Sequence, residues 1–155
     1  MREVVRRGER GGNRGGRVTD HEYAKLLAFR VALRRFLRWS EERSAEVGLT
    51  ATQHQLLLAI RGHAGSRGPT IGALAEYLCT RHHSTVQLID RVEQLGLVSR
   101  NRGGGKDRRI VQLTLTEAGE RKLALLSATH LEELQRLVPL VTAFAEPMTA
   151  TTQAP

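Results

Sequence analysis

The chain has 155 residues and a formal net charge of +8, from 24 basic and 16 acidic residues. This length suits one domain with appended helices, and charged residues interrupt every apolar stretch before the roughly 20 residues that a membrane span needs. The basic N-terminus lacks the apolar segment of a secretory signal, and a single cysteine, Cys79, excludes an internal disulfide, so the sequence predicts a protein of the reducing cytoplasm.

The excess positive charge is concentrated in two blocks. Residues 1–17 carry six Arg and two Glu, and residues 100–109 carry five basic residues and one Asp, so each block contributes +4. The remainder of the chain is electrically neutral. Charge that is concentrated in this way favours contact with a polyanion over a merely solubilising surface.

The N-terminal two thirds of the chain is predicted to hold a tail followed by four helices. Residues 1–18 are rich in Arg and Gly and have almost no apolar content, which predicts a disordered basic tail. The first helix is long and amphipathic, the third is short, and the fourth closes at Gly96, a favourable left-handed helix end. The predicted starts of the four helices are Asp20, Thr50 or Thr52, Thr70 and about His83.

A hairpin and a last helix complete the predicted order. The runs LVSRNR and RIVQLTL are rich in β-branched residues and flank GGGKD, which predicts two strands joined by a tight turn. Thr116 caps the last helix, which is predicted to end at Pro139 because proline lacks a backbone donor. The prediction is a mainly α fold with a small β-hairpin wing. It comprises one domain over 19–145, with a winged helix-turn-helix lobe at about 50–115, long helices at about 20–47 and 117–138, and a loose tail over 146–155.

The fourth helix has two different faces. At 100° per residue, Thr85, Leu88, Ile89 and Val92 fall on one side and are predicted to pack inward. The other side carries groups that suit DNA: Gln for adenine, Arg for guanine, Ser for a phosphate or base edge, and a Val methyl for thymine. The predicted DNA-facing residues of this helix are His83, Ser84, Val86, Gln87 and Arg91.

The hairpin supplies further cations beside that helix. Its three consecutive glycines, residues 103–105, allow a tight turn, and its basic side chains are predicted to reach DNA phosphates. Asp90 lies on the DNA-facing side of the fourth helix, where phosphate would repel it, so it is predicted to pair with an Arg of the wing. The predicted DNA-contacting residues of the wing are Arg102, Lys106, Arg108 and Arg109.

Residues 70–119 resemble the helix-turn-helix and wing of the MarR family (multiple antibiotic resistance regulator type). The segment DRRIVQLTLTEAG follows the family's Asp-x-Arg wing signature and its Leu-Thr-x-x-Gly start of the next helix, and LIDRVEQLGLVSR matches the end of its recognition helix. The order of helices extends the similarity over residues 20 to about 138. The resemblance implies that Arg109 enters the minor groove or grips its phosphates, and that Asp107 orients Arg109.

The resemblance also implies a homodimer held by the N- and C-terminal helices. These helices carry more apolar surface than a small winged helix alone could bury. A two-fold dimer would place its recognition helices about 34 Å apart, which predicts a pseudo-palindromic double-stranded DNA site. The residues predicted to supply the apolar contact are Leu26, Leu33, Phe36, Leu37 and Trp39 on the first helix, and Leu123, Leu126, Leu131, Leu134 and Leu137 on the last.

The implied function is sequence-specific transcriptional regulation, more often repression in this family, modulated by a small-molecule effector. Effectors of the family generally bind between the dimer helices and the DNA-binding lobe. Tyr23, Trp39 and His54 could line such a cavity, although aromatic and His residues on helix faces more often form core. The effector-binding residues therefore stay unassigned, and no cofactor or metal is predicted.

Two other classes of function remain as alternatives. The winged helix could be a protein-interaction module with only non-specific DNA affinity. An enzyme has no support beyond Cys79, which lies beside TRHH without a nearby acidic residue or second cysteine and without a nucleophile motif. The N-terminal tail is either an arm that tracks DNA phosphates or an extension that precedes the family-like chain, which begins near Val18.

Overall fold

The computed structural model describes residues 18–65, 67–102 and 111–145. Within these ranges the fold is mainly helical with one antiparallel hairpin, which confirms the predicted fold class. The elements in chain order are α1 (Asp20–Glu46), α2 (Ala51–Gly62), α3 (Ile71–Tyr77), α4 (His82–Gln94), β1 (Val98–Arg102), β2 (Val111–Leu115) and α5 (Glu117–Ala145). The basic tail predicted over 1–17 and the loose tail predicted over 146–155 lie outside the described residues.

Side-chain caps set where the first two helices begin. Thr50 accepts a hydrogen bond from the backbone N–H of Gln53 at 3.2 Å, and the Gln53 side chain accepts one from the backbone N–H of Thr50 at 2.9 Å. Thr19 and Glu22 make the same reciprocal pair at the start of α1. The predicted cap at Asp20 was therefore wrong by one residue. Asp20 is the first helical residue instead, where its charge is favourable beside the positive helix end.

The wing is tied to the loop before α3. The strands β1 and β2 pair from Val98 opposite Leu115 to Arg102 opposite Val111. The backbone N–H of Leu113 also donates to the carbonyl of Pro69 at 3.0 Å, and Thr70 forms an isolated bridge with Gln112. The two strands of the hairpin therefore pack against the helix-turn-helix and do not project from it freely.

The hydrophobic core belongs to the winged-helix lobe, which we define as α2 to β2, and to the first turns of α5. Two leucines that were predicted to lie in a dimer contact, Leu123 and Leu126, are buried in this core instead. That prediction was wrong because α5 first crosses its own lobe before it extends beyond it. In α1 the only fully buried side chain among those described is Ser44. The buried apolar residues are Leu49, Leu56, Leu57, Ile60, Leu74, Ile89, Val92, Leu97, Val98, Leu113, Leu123 and Leu126.

The last helix is longer than the sequence predicts. It runs to Ala145 and contains Pro139, so the predicted end at Pro139 was wrong. A proline inside a helix removes one donor and disturbs the carbonyl four residues earlier, which here belongs to Gln135. Both residues are exposed, so water can hydrogen-bond to the carbonyl that loses its donor. The helix therefore continues past the proline.

Candidate nucleic-acid interface

The turn between α3 and α4 is held by backbone and hydroxyl contacts. Cys79 has a φ of 50°, in the left-handed region, and its N–H donates to the carbonyl of Glu76 at 3.1 Å. The next N–H, of Thr80, reaches back to Ala75 at 3.0 Å, which completes a helix end that usually carries glycine. The Thr80 and Thr85 hydroxyls then meet at 2.8 Å. Sequence reasoning missed this threonine pair, whose only signal was the inward position of Thr85.

The recognition helix α4 presents the two faces that the sequence predicts. Thr85, Ile89 and Val92 are buried, and Leu88 is packed against them, which confirms the inward face. The first turn of α4 is open, because the Arg81 side chain makes no capping bond. Free backbone N–H groups at a helix start bind phosphate well. On the outer side His83, Ser84, Gln87 and Arg91 are exposed, and Val86 is half-buried.

One arginine of the wing joins two carboxylates of the recognition helix. The Arg100 guanidinium, which is 27% exposed, donates to both Asp90 and Glu93. The predicted pairing of Asp90 with an Arg of the wing is confirmed. The second carboxylate, Glu93, was not anticipated. Because Arg100 neutralises charges that would repel phosphate, it improves the electrostatics of this surface and fixes the angle between wing and helix.

The strands of the wing carry a short polar ladder on the face opposite Arg100. The Ser99 and Thr114 hydroxyls lie 3.0 Å apart, and the Asn101 amide donates to the Thr114 hydroxyl at 2.9 Å. Arg102 is the last residue of β1. The predicted glycine turn and the predicted contacts of Lys106, Asp107, Arg108 and Arg109 lie outside the described residues, so they stay predictions.

His130 brings together Trp39 and His54, two of the three residues that were considered for an effector cavity. The Trp39 and His130 rings have centroids 4.8 Å apart, and the His54 and His130 rings have centroids 4.6 Å apart. Tyr23 is absent from this cluster and is 59% exposed. Sequence reasoning missed His130, because nothing in the local pattern indicates that α5 carries it to α2.

Some chemistry finds no support among the described residues. Within 18–65, 67–102 and 111–145, no three His, Cys, Asp or Glu side chains come together as a metal site. None of the helices described there has the length and apolar character to cross a membrane. The Cys79 thiol is exposed beside the recognition helix.

Comparison with known proteins agrees with this geometry. Residues 47–110 match the model of the MarR family. AbsC, a MarR family transcriptional regulator from Streptomyces coelicolor, is similar with a TM-score of 0.65 at 24% identity, over 77% of this chain and 79% of its own. MepR, a transcription regulator of the Staphylococcus aureus multidrug efflux pump MepA, has a TM-score of 0.63 at 20% identity, over 76% and 82%.

A MepR–DNA complex from the same organism is also similar, with a TM-score of 0.63 at 20% identity, over 74% of this chain and 82% of that one. No protein of curated function matches the sequence. At such low identities the structural likeness establishes the winged-helix fold alone.

Proposed function

We propose, from the match of residues 47–110 to the MarR family model, that this chain is a homodimeric transcriptional repressor that binds double-stranded DNA and whose DNA affinity a small-molecule effector modulates. The observation that carries the DNA-binding part is the bond between Arg100 and the two carboxylates of α4. It leaves the outer face of α4 with exposed polar and basic groups and no unpaired Asp90 or Glu93. A surface that only kept the protein in solution would not require Asp90 and Glu93 to be neutralised.

We propose specific roles for the residues of this surface. Gln87 and Arg91 read base edges in the major groove, His83 and Ser84 contact phosphates or base edges, and the Val86 methyls approach a thymine methyl. In the wing, Asp107 orients Arg109 toward the minor groove. Phosphate contacts from the wing are assigned to Arg102, Lys106 and Arg108.

The homodimer is proposed from apolar surface that one chain leaves uncovered. On α1, Leu26, Leu33 and Leu37 are between 41% and 49% exposed. On α5, Leu134 is 44% exposed and Val138 56%. A groove of about 420 Å³ runs between the two helices, lined by Phe29, Ala32, Leu33, Phe36, Leu134, Leu137, Val138, Val141 and Thr142. A contiguous apolar face on two long helices suits the same face of a second copy.

Leu134→Glu is expected to weaken the dimer roughly 100-fold, because the substitution would place an unpaired charge in an apolar contact. Leu125→Glu is the matched control, since Leu125 is a 67% exposed leucine of the same helix that does not line the groove. Sedimentation equilibrium of the two variants and the unmodified chain measures the effect. Equal dissociation constants for both variants would contradict the proposed interface.

The test of DNA recognition compares a wing residue with a residue of α4. Arg109→Ala should weaken binding to all sequences and lower the salt slope by about 1, because one cation that neutralises phosphate charge from the minor groove is lost. Gln87→Ala should cost roughly 1–3 kcal/mol at particular base pairs and leave non-specific binding unchanged. Both are measured by fluorescence anisotropy across a salt series, with the chain's own upstream intergenic DNA and scrambled DNA of equal length.

Each outcome of that experiment separates the candidate functions. At least ~10³-fold tighter binding of the upstream DNA at moderate salt would establish sequence-specific recognition. The other outcome is weak binding of both DNAs with equal affinity and a steep salt dependence. If a search of other promoters also finds no preferred site, this outcome would favour an interaction module with non-specific affinity. An Arg109→Ala variant with the same affinity and salt slope as the unmodified chain would refute the assignment of the wing.

A further inference from the structure

Two buried histidines meet where α1, α2 and α5 join. His54 of α2 is 5% exposed and His130 of α5 is 9% exposed, and their rings pack edge to face with centroids 4.6 Å apart. From α1, Trp39 packs on His130 at 4.8 Å between ring centroids, and Phe36 lies 6.2 Å from it. We call this cluster, completed by Ser40, the histidine junction.

His130 is hydrogen-bonded through both of its ring nitrogens. Nδ1 lies 2.8 Å from the Leu126 carbonyl oxygen, which can only accept, so Nδ1 carries the hydrogen. Nε2 lies 2.7 Å from the Ser40 hydroxyl, so it accepts from that hydroxyl in the neutral tautomer. His130 therefore bonds α5 to α1 across the junction.

His54 is buried without a hydrogen-bond partner for its ring in the part of the chain that the structure describes. Burial lowers the pKa of His54 below its ordinary value of 6.5, and the nearby charge of His130 lowers it further. A proton that reaches this ring in the packed junction finds no acceptor and lies against a second imidazole. An uncompensated buried charge is costly, so protonation favours an arrangement in which His54 meets water.

Several charged side chains on the three helices of the junction form ion pairs, although the buried Arg43 Nε has no hydrogen-bond partner among the described residues. Arg43 of α1 pairs through its other end with Glu46 at 2.6 Å, and Arg61 of α2 pairs with Glu120 of α5 at 3.4 Å. On α5, one turn beyond His130, Glu133 pairs with Arg136 at 2.7 Å. Glu133 is therefore engaged elsewhere, and no carboxylate of the described residues forms an ion pair with either imidazole.

We infer that the histidine junction is a proton-sensitive joint, which holds the winged-helix lobe against α1 and α5 when the His54 ring is neutral and loosens when that ring is protonated. The two histidines lie between the apolar groove of α1 and α5 and the helices of the lobe, so a change there alters how the lobe sits on the dimer helices. The regulatory consequence rests on the proposed DNA-binding function: acidification lowers DNA affinity.

The direction of the pH effect follows from the pKa of His54 in the unfolded chain compared with its pKa in the folded chain. The unfolded chain binds a proton at His54 near pH 6.5, whereas the folded chain binds it only at lower pH. Below 6.5 the open or unfolded states therefore take up more protons, and the packed junction loses stability as the pH falls.

The joint can be followed without DNA, because Trp39 is the only tryptophan of the chain. Trp39 fluorescence of the full-length protein is recorded from about pH 7.5 to about pH 5. We expect a titration with a midpoint below 6.5, since protonation of His54 opens the joint and thereby changes the exposure of Trp39. The titration should disappear in the double variant His54→Gln/His130→Gln and persist in His21→Gln, where the replaced histidine is exposed on the first turn of α1.

The same proteins are then compared in DNA binding over that pH range. Affinity of the unmodified chain should fall about tenfold, a usual size for coupling between two sites. The double variant should lose this fall. Thermal unfolding at about pH 7.5 checks that the variants fold. If the double variant does not fold, His54→Phe replaces it in the experiment, because phenylalanine keeps a planar ring without a titratable group.

A flat fluorescence profile in the unmodified chain would overturn the proton-sensitive joint. A fluorescence titration without any fall in DNA affinity would overturn its regulatory role. If the protein binds no DNA at any pH, the proposed function fails, and the fluorescence titration alone still decides whether the joint responds to protons.

Discussion

Replacing Arg100 with alanine is expected to weaken DNA binding by about 2 kcal/mol, or roughly 30-fold. The substitution removes a cation and also releases Asp90 and Glu93, so two carboxylates on the DNA-facing lobe become unpaired near phosphate. The Arg100 side chain is 27% exposed, so solvent screens its ion pairs and the expected loss of affinity is smaller than for a fully buried pair. The proposed major-groove residues are left in place, so the loss should apply to all DNA sequences.

A triple variant separates charge from position. In Arg100→Ala/Asp90→Asn/Glu93→Gln the repulsive charges are absent, so most of the lost affinity should return if repulsion is the cause. If the triple variant binds as weakly as Arg100→Ala, the main role of Arg100 is to hold the angle of the wing. Anisotropy titrations at two salt concentrations measure both effects. Unchanged affinity in the single variant would contradict the proposed orientation of α4 and the wing toward DNA.

Gly119→Ala is expected to destabilise the fold by about 3 kcal/mol or more. A Cβ at this position would lie 2.1 Å from the Leu97 carbonyl oxygen, and that contact is between backbone groups that cannot turn away. The same carbonyl accepts the N–H of Thr116 at 3.0 Å, and Thr116 caps α5 by accepting the N–H of Gly119 at 3.1 Å. The side chain would therefore push α5 off the start of the wing.

Gly62→Ala is the matched control for that experiment. Gly62 also lies in a helix, and no heavy atom comes within 4 Å of the position of its missing Cβ. Alanine there should leave stability unchanged or raise it by up to about 1 kcal/mol, because it restricts the unfolded chain. Urea unfolding followed by circular dichroism compares the two variants with the unmodified protein. Equal midpoints for Gly119→Ala and Gly62→Ala would show that α5 does not pack this closely.

The last helix links the two parts of the proposed function. Its first turns contribute Leu123 and Leu126 to the core of the lobe, and its later turns carry Leu134 and Val138 into the apolar groove. His130 lies between these two sets and bonds to α1 through Ser40. Because one continuous helix joins the lobe to the proposed dimer contact, a change in how His130 packs reaches both ends.

Local chemistry in the sequence was sufficient to predict the order of elements and most of their ends. The Thr50 cap, the Thr70 cap and the left-handed Gly96, with its φ of 70°, depend on hydrogen bonds within a few residues, and such bonds can be read from neighbouring letters. The two faces of α4 followed from helical periodicity. Pairing of Asp90 with a wing arginine followed from electrostatics, because a carboxylate beside phosphate requires a cation.

Only the tertiary structure decided which apolar and aromatic residues belong together. The leucines of α5 follow one another at similar spacing, yet Leu126 is 3% exposed and Leu131 is 62% exposed, because the helix leaves its lobe between them. Likewise, Pro139 stays inside a helix because its surroundings are open to water, and His54 meets His130 because α2 and α5 cross there. Burial depends on the path of distant segments in space, which helical periodicity does not record, whereas caps and charge pairs act between near neighbours and are therefore visible in the sequence.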